Sequence, residues 1–323
     1  MMMTKSAITA FLLTTVISLS APKQTSAFLS PSNAFCRAPQ LQMSAPTYEE
    51  VMEKMKAKDK TSVALSKEDL KIIHEDEHII VVDKPAGTLC VPDRDGNPSL
   101  SAAVFEAFGC ESGNPDKMVA HRLGMDTSGL VVFARTNRAV SKLNSEFRRR
   151  KVDRKYEVVV CGDVESESGL MDYTIQRDAE ALPYMRVSSL EAQIALVESG
   201  LSEELYAKYC KEPLKSMTEY EVLGKEEKAG KAVTRLTLNS VTGRTHQLNV
   251  HCAAMGHPIA GDTTYGAGGD ATPNGGLEEG KVSEDDQKSI AGDVNRLCVH
   301  LKSLSFKHPG TKERVTYESG TPF

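Results

Sequence analysis

A chain of 323 residues that is 40% hydrophobic can bury a core as one large domain or two smaller ones. No window approaches the ~20 apolar residues of a membrane span. The net charge of −5 excludes indiscriminate binding to nucleic acid, so any RNA affinity has to come from a local patch. Seven scattered cysteines, an odd number without a CxxC pair, indicate neither a zinc site nor a disulfide framework.

The first 48 residues contain no Asp or Glu and only Lys5, Lys23 and Arg37 as charges. Ala7 to Ser20 has the layout of a signal-peptide apolar region. Ser26-Ala27-Phe28 follows, and then a Ser-, Pro- and Ala-rich stretch from Ser30 to Pro46. This arrangement resembles the two-part plastid presequence of algae with secondary plastids. It implies a plastid protein, with a mitochondrion or secretion as the alternatives. Without residues 1–48 the count is 36 basic against 44 acidic residues, a net charge of −8. Residues 49–75 are charged and helix-favouring, with Val51, Met55 and Leu70 scattered along them, and read as a helical or partly disordered lead-in.

From Asp76 the text becomes that of a folded domain. Ile79 to Val82 is a β-branched strand broken by a turn at Lys84-Pro85-Ala86-Gly87. The stretch VAHRLGMDTSGLVVFA, Val119 to Ala134, pairs a polar, glycine-bearing loop with a buried strand from Leu130. Asn137 is a candidate N-cap for a helix carrying Val140, Leu143 and Phe147 and ending near Arg150. Arg135 to Lys155 holds nine basic residues against Glu146 and Asp153, a local +7 that forms a phosphate-binding footprint. Arg148, Arg149, Arg150, Lys151 and Lys155 are its candidate RNA contacts, with Arg122 joining them from the loop.

Lys155 to Gly162 alternates as a strand, and Met217 to Leu223 and Ala232 to Leu238 read likewise. Residues 191–211 and the acidic, Gly-rich 267–293 read as surface insertions. Gly266 to Gly276 lacks the strand and Lys-Ser context of a phosphate loop. His246, His251 and His257 sit in a Cys- and carboxylate-poor setting that does not favour a metal.

The stretch HRLGMDTSGL resembles the signature H-R-L-D-x-x-T-S-G-L of the RluA-type pseudouridine synthases. DEHIIVVDKPAG matches that family's opening motif, and TGRTHQLNVHCAAMGHPIAGDTTYG its G-R-T-H-Q segment, with Asn249 where an arginine is usual. The resemblance covers residues 76–323 as one domain. It implies an α+β pseudouridine synthase fold, a mixed, largely antiparallel sheet flanked by helices. It also implies isomerisation of uridine in a structured RNA, rRNA or tRNA, by a monomer without cofactor, metal or membrane contact. Tyr156 is then the tyrosine that packs against the target base, and Arg244 the cation that keeps the catalytic carboxylate ionised.

One position departs from that pattern. Gly124 stands where the family carries its catalytic aspartate. Asp126 is the nearest substitute, but in an extended loop it lies about 6–7 Å away along the chain, far outside the tolerance of catalytic positioning. Three readings follow: an active synthase using Asp126 or another carboxylate, a catalytically silent RNA-binding relative, and a misread codon in an ordinary enzyme.

Overall fold

The computed structural model describes residues 28–29, 48–178, 181–188, 213–277 and 280–323. Its strands in chain order are β1 (Phe28–Leu29), β2 (Lys71–Glu75), β3 (Ile79–Lys84), β4 (Ser128–Ala134), β5 (Asp153–Cys161), β6 (Ser168–Arg177), β7 (Met185–Val187), β8 (Leu214–Lys228), β9 (Lys231–Ser240), β10 (Val299–Lys307) and β11 (Arg314–Glu318). The α-helices are α1 (Tyr48–Asp59), α2 (Leu100–Phe108), α3 (Asn137–Arg148), α4 (Gln247–Ala254) and α5 (Glu284–Val294). Among the described residues no helix is long and apolar enough to cross a membrane.

All strands join one sheet in the order β1-β6-β8-β9-β5-β10-β4-β3-β2, with β7 added to β6 and β11 to β10. Among the described residues only β1–β6 and β4–β10 pair in parallel, so the sheet is mixed and largely antiparallel, as expected. The β-branched strands β3 and β4 are buried along their whole lengths, because helices and loops cover both faces of the sheet there. They pair from Ile79↔Ala134 to Lys84↔Gly129.

Gly129 is fixed by close approach. Its φ is +120°, and a Cβ there would lie 2.4 Å from the Leu301 nitrogen. The strand after the reactive loop is thereby pressed onto β10.

Several boundaries differ from the sequence reading. Thr136, not Asn137, caps α3, its Oγ1 accepting from Ala139 N at 3.1 Å. The lead-in ends in β2, paired with β3 at the sheet edge. The expected insertion at 191–211 lies outside the described residues. The one at 267–293 holds all of α5 but Val294 and buries Ala271, Leu277 and Ile290, so part of it belongs to the core.

Candidate active site

The loop before β4 doubles back along that strand, with Val119 bridging Phe133. His121 Nε2 accepts from Val132 N at 3.1 Å, and its ring stacks on Phe147 of α3 at 4.8 Å. Burial, with Arg154 nearby, pushes the imidazole down to about 3, so at neutral pH it is uncharged with its proton on Nδ1. Thr127 N donates to Gly124 O at 3.2 Å and closes a turn.

Beneath this turn lies Lys84, fully buried at the end of β3. Its Nζ donates to Pro85 O at 2.9 Å, Met125 O at 2.8 Å and Thr127 O at 2.9 Å. Burial pushes the amine down to about 8. The loop is therefore braced on both sides of residue 126 by one ammonium group, a role the sequence reading missed.

Gly124 lies outside the left-handed region, and a Cβ on it would meet Thr127 Oγ1 at 3.4 Å, an ordinary contact. Glycine is thus not required there by the backbone. The Asp126 carboxylate turns to α1, with Oδ2 2.5 Å from Lys58 Nζ. Among the described residues the Arg244 Nε is buried without a hydrogen-bond partner. A buried cationic donor without an acceptor loses its hydration uncompensated, by roughly 1–3 kcal/mol or more.

Gln247, buried at the start of α4, fixes the loop that carries Arg244. Its Oε1 accepts from Arg244 N at 3.0 Å and Thr242 Oγ1 at 2.8 Å, while Nε2 donates to Met217 O at 3.0 Å on β8. Tyr156 is buried on β5 between Leu238 of β9 and Leu301 of β10. Burial raises its phenol pKa and the adjacent Arg154 guanidinium opposes that, so it stays protonated at neutral pH. A Cβ on Gly243 would lie 2.8 Å from an Arg154 guanidinium nitrogen. Arg154, which the sequence reading counted only within the basic run, joins Tyr156 to the Arg244 loop.

Arg148, Arg150, Arg154 and Arg244 line one cavity of about 530 Å³, with Phe147 and Glu219 among its other walls. This lies within the ~300–1,000 Å³ range of small-ligand pockets. The structure therefore brings Arg148, Arg150 and Arg244 together. Arg149 and Lys151 are exposed and do not line it. Lys155 is exposed on the face of β5 opposite Arg154 and Tyr156, and Arg122 lines a separate cavity with His121 and Asn144.

One cluster could resemble a metal site: ligand atoms of His74, Asp76 and His308 lie within 4.8 Å of one another. However, His308 Nδ1 accepts from Gly310 N and Thr311 N at 3.2 and 3.1 Å, which leaves its proton on Nε2, 2.8 Å from Asp76 Oδ2. A protonated nitrogen cannot ligate. Burial raises the Asp76 pKa, but the Ile79 and His78 N–H groups, helped by His74 and His308, hold it down at about 2. The cluster fastens the β2–β3 turn to the loop after β10.

The loop, the tyrosine and the arginine cleft coincide with a family match, since a model described as RNA pseudouridylate synthase fits residues 78–254. This chain belongs to the RNA pseudouridylate synthase family. It is 32% identical over 257 residues to the dual-specificity RNA pseudouridine synthase RluA of Pasteurella multocida, covering 79% of this chain and 94% of that protein. The RluA of Vibrio vulnificus is 36% identical over 243 residues, 74% of this chain and 78% of its own. Among solved structures, human RNA pseudouridylate synthase domain containing 1 superposes with a TM-score of 0.56 at 24% identity, over 81% of this chain and 87% of that one. Human domain containing 4 gives 0.55 at 20% identity, over 78% and 88%. These two show the shared fold.

Proposed function

We propose that this pseudouridine synthase isomerises uridine in a structured ribosomal or transfer RNA, acting as a monomer without metal or cofactor. The observation that carries this reading is the convergence of Arg148, Arg150, Arg154 and Arg244 on one cavity beside Tyr156. The target nucleotide leaves its stack; the arginines take phosphate and Tyr156 packs against the base. A carboxylate then acts at C1′: the N1–C1′ bond breaks, the uracil turns, C5 bonds to C1′, and the C5 proton is lost while N1 takes one up.

In this chain the carboxylate limits the rate. Asp126 is braced at Met125 O and Thr127 O but paired with Lys58, while Arg244 has a buried donor to spare. The same observation favours the second reading, a silent RNA-binding relative. Residues 1–48 are proposed to direct the chain to a plastid.

The test is pseudouridine formation in ribosomal and transfer RNA, read by mass spectrometry, for the natural chain, Gly124→Asp and Asp126→Asn. Gly124→Asp should fold and act, with the natural chain several orders of magnitude slower or inactive. Robust natural activity that vanishes in Asp126→Asn would move the reaction to Asp126. An inactive Gly124→Asp that still folds and binds RNA would leave the silent reading.

A further inference from the structure

His246 stands two residues beyond Arg244 with φ 52° and ψ 21°. For a residue with a Cβ this left-handed conformation costs about 1–2 kcal/mol. The residue precedes α4, yet its side chain makes no capping hydrogen bond. Helix termination therefore does not account for the conformation.

The ring is held from one side. The Tyr265 hydroxyl lies 2.7 Å from His246 Nδ1, and the same oxygen accepts from Met185 N at 3.1 Å. Among the described residues the Tyr265 hydroxyl proton has no other acceptor, so it points to the imidazole. Nδ1 is then the acceptor, and the ring proton is on Nε2. Burial of the inner edge, against Tyr265 at 5.6 Å and Tyr184 at 6.3 Å between centroids, lowers the imidazole pKa and favours the neutral form. His246 is nonetheless exposed at its outer edge, and among the described residues Nε2 has no hydrogen-bond partner. A strained backbone and a tautomer fixed from behind thus present one neutral N–H donor on the loop that carries Arg244, itself a wall of the arginine cleft.

We infer that this Nε2–H reads the O4 carbonyl of the target uracil and so selects uridine over cytidine. The inference rests on the proposed function. A phosphate is the weaker match, because the ring carries no charge and four arginines already line the neighbouring cavity. A fixed donor accepts a carbonyl oxygen at position 4 but opposes the amino group that cytosine carries there. O2, common to both pyrimidines, would give no such choice.

The experiment uses the full chain and two RNA hairpins that differ only in one loop nucleotide, uridine or cytidine. The natural chain should bind the uridine hairpin about tenfold more tightly, the effect of one well-placed hydrogen bond against an opposed one. His246→Asn, which tolerates the left-handed conformation, should abolish that preference, weakening the uridine hairpin and easing the penalty on the cytidine one. Tyr265→Phe, which releases the tautomer, should reduce the preference in part. Nitrogen NMR of the natural chain should place the His246 proton on Nε2. A preference that survives His246→Asn, an equal fall in both affinities, or a proton on Nδ1 would overturn the role of His246 alone. Equal binding of both hairpins by the natural chain would overturn it together with the uridine pocket of the proposed function.

Discussion

Lys58 on α1 and Asp126 in the loop before β4, 68 positions apart, meet at 2.5 Å. One helical turn earlier Lys54 pairs with Asp270 at 2.7 Å, so the same helix grips two loops, while Val51 and Met55 pack on the core. Both lysines are well exposed, and such pairs contribute only ~0–1 kcal/mol each. Lys58→Ala should therefore change the unfolding free energy by no more than about 1 kcal/mol. Its effect is on direction: any turnover that depends on Asp126 should change several-fold. In the Gly124→Asp background the same substitution should leave the rate unaltered. Single-turnover rates in the two backgrounds check this.

The arginine cleft sets the salt dependence of RNA binding. Arg148→Ala with Arg150→Ala should flatten the slope of log affinity against log salt by about one unit per lost phosphate contact. Arg149→Ala with Lys151→Ala, which removes two exposed charges outside the cavity, should flatten it less. Equal effects from both pairs would make the basic run a diffuse field.

His251 on α4 is fully buried against Tyr173, and burial pushes its imidazole down to about 3. The unfolded chain, with its histidines near 6.5, binds the proton first as pH falls. Stability is therefore present above pH 6.5 and lost between 6.5 and about 3. Between pH 7 and pH 5 this one group should remove roughly 1–2 kcal/mol. Urea unfolding at the two pH values should show a smaller difference in His251→Leu than in the natural chain.

Residues 1–48 fused to a fluorescent reporter should carry it into the plastid, and Phe28→Ala should stop it before the stroma. Delivery indifferent to Phe28 would remove the reason for preferring that compartment.

The central strands were legible because β-branched runs such as Ile79–Val82 and Leu130–Ala134 fit a sheet buried on both faces. Cap positions were legible to within one residue, since Thr136 and Asn137 are both competent caps. Lys84 was not legible: a lysine before proline reads as the charged end of a strand, and two of its acceptors lie 41 and 43 residues away. Nor was the Lys58–Asp126 pair, because a charged lead-in helix carries no mark of the loop it will meet. The acidic, Gly-rich text of 267–293 hid the apolar residues it buries, for composition averages over the positions that pack.

The Lys84 ammonium sits among three carbonyls as a cation sits in a crown ether, and that socket has a mechanical consequence. An ammonium presents three donors at fixed angles, so the Pro85 turn and the 125–127 loop are bolted to a common point and move as one body. Arginine, planar and longer, cannot fill such a socket, and methionine of similar length cannot hold it shut. Any nucleotide that pushes on the loop therefore pushes on β3 as well, and the reactive turn inherits the stiffness of the whole sheet.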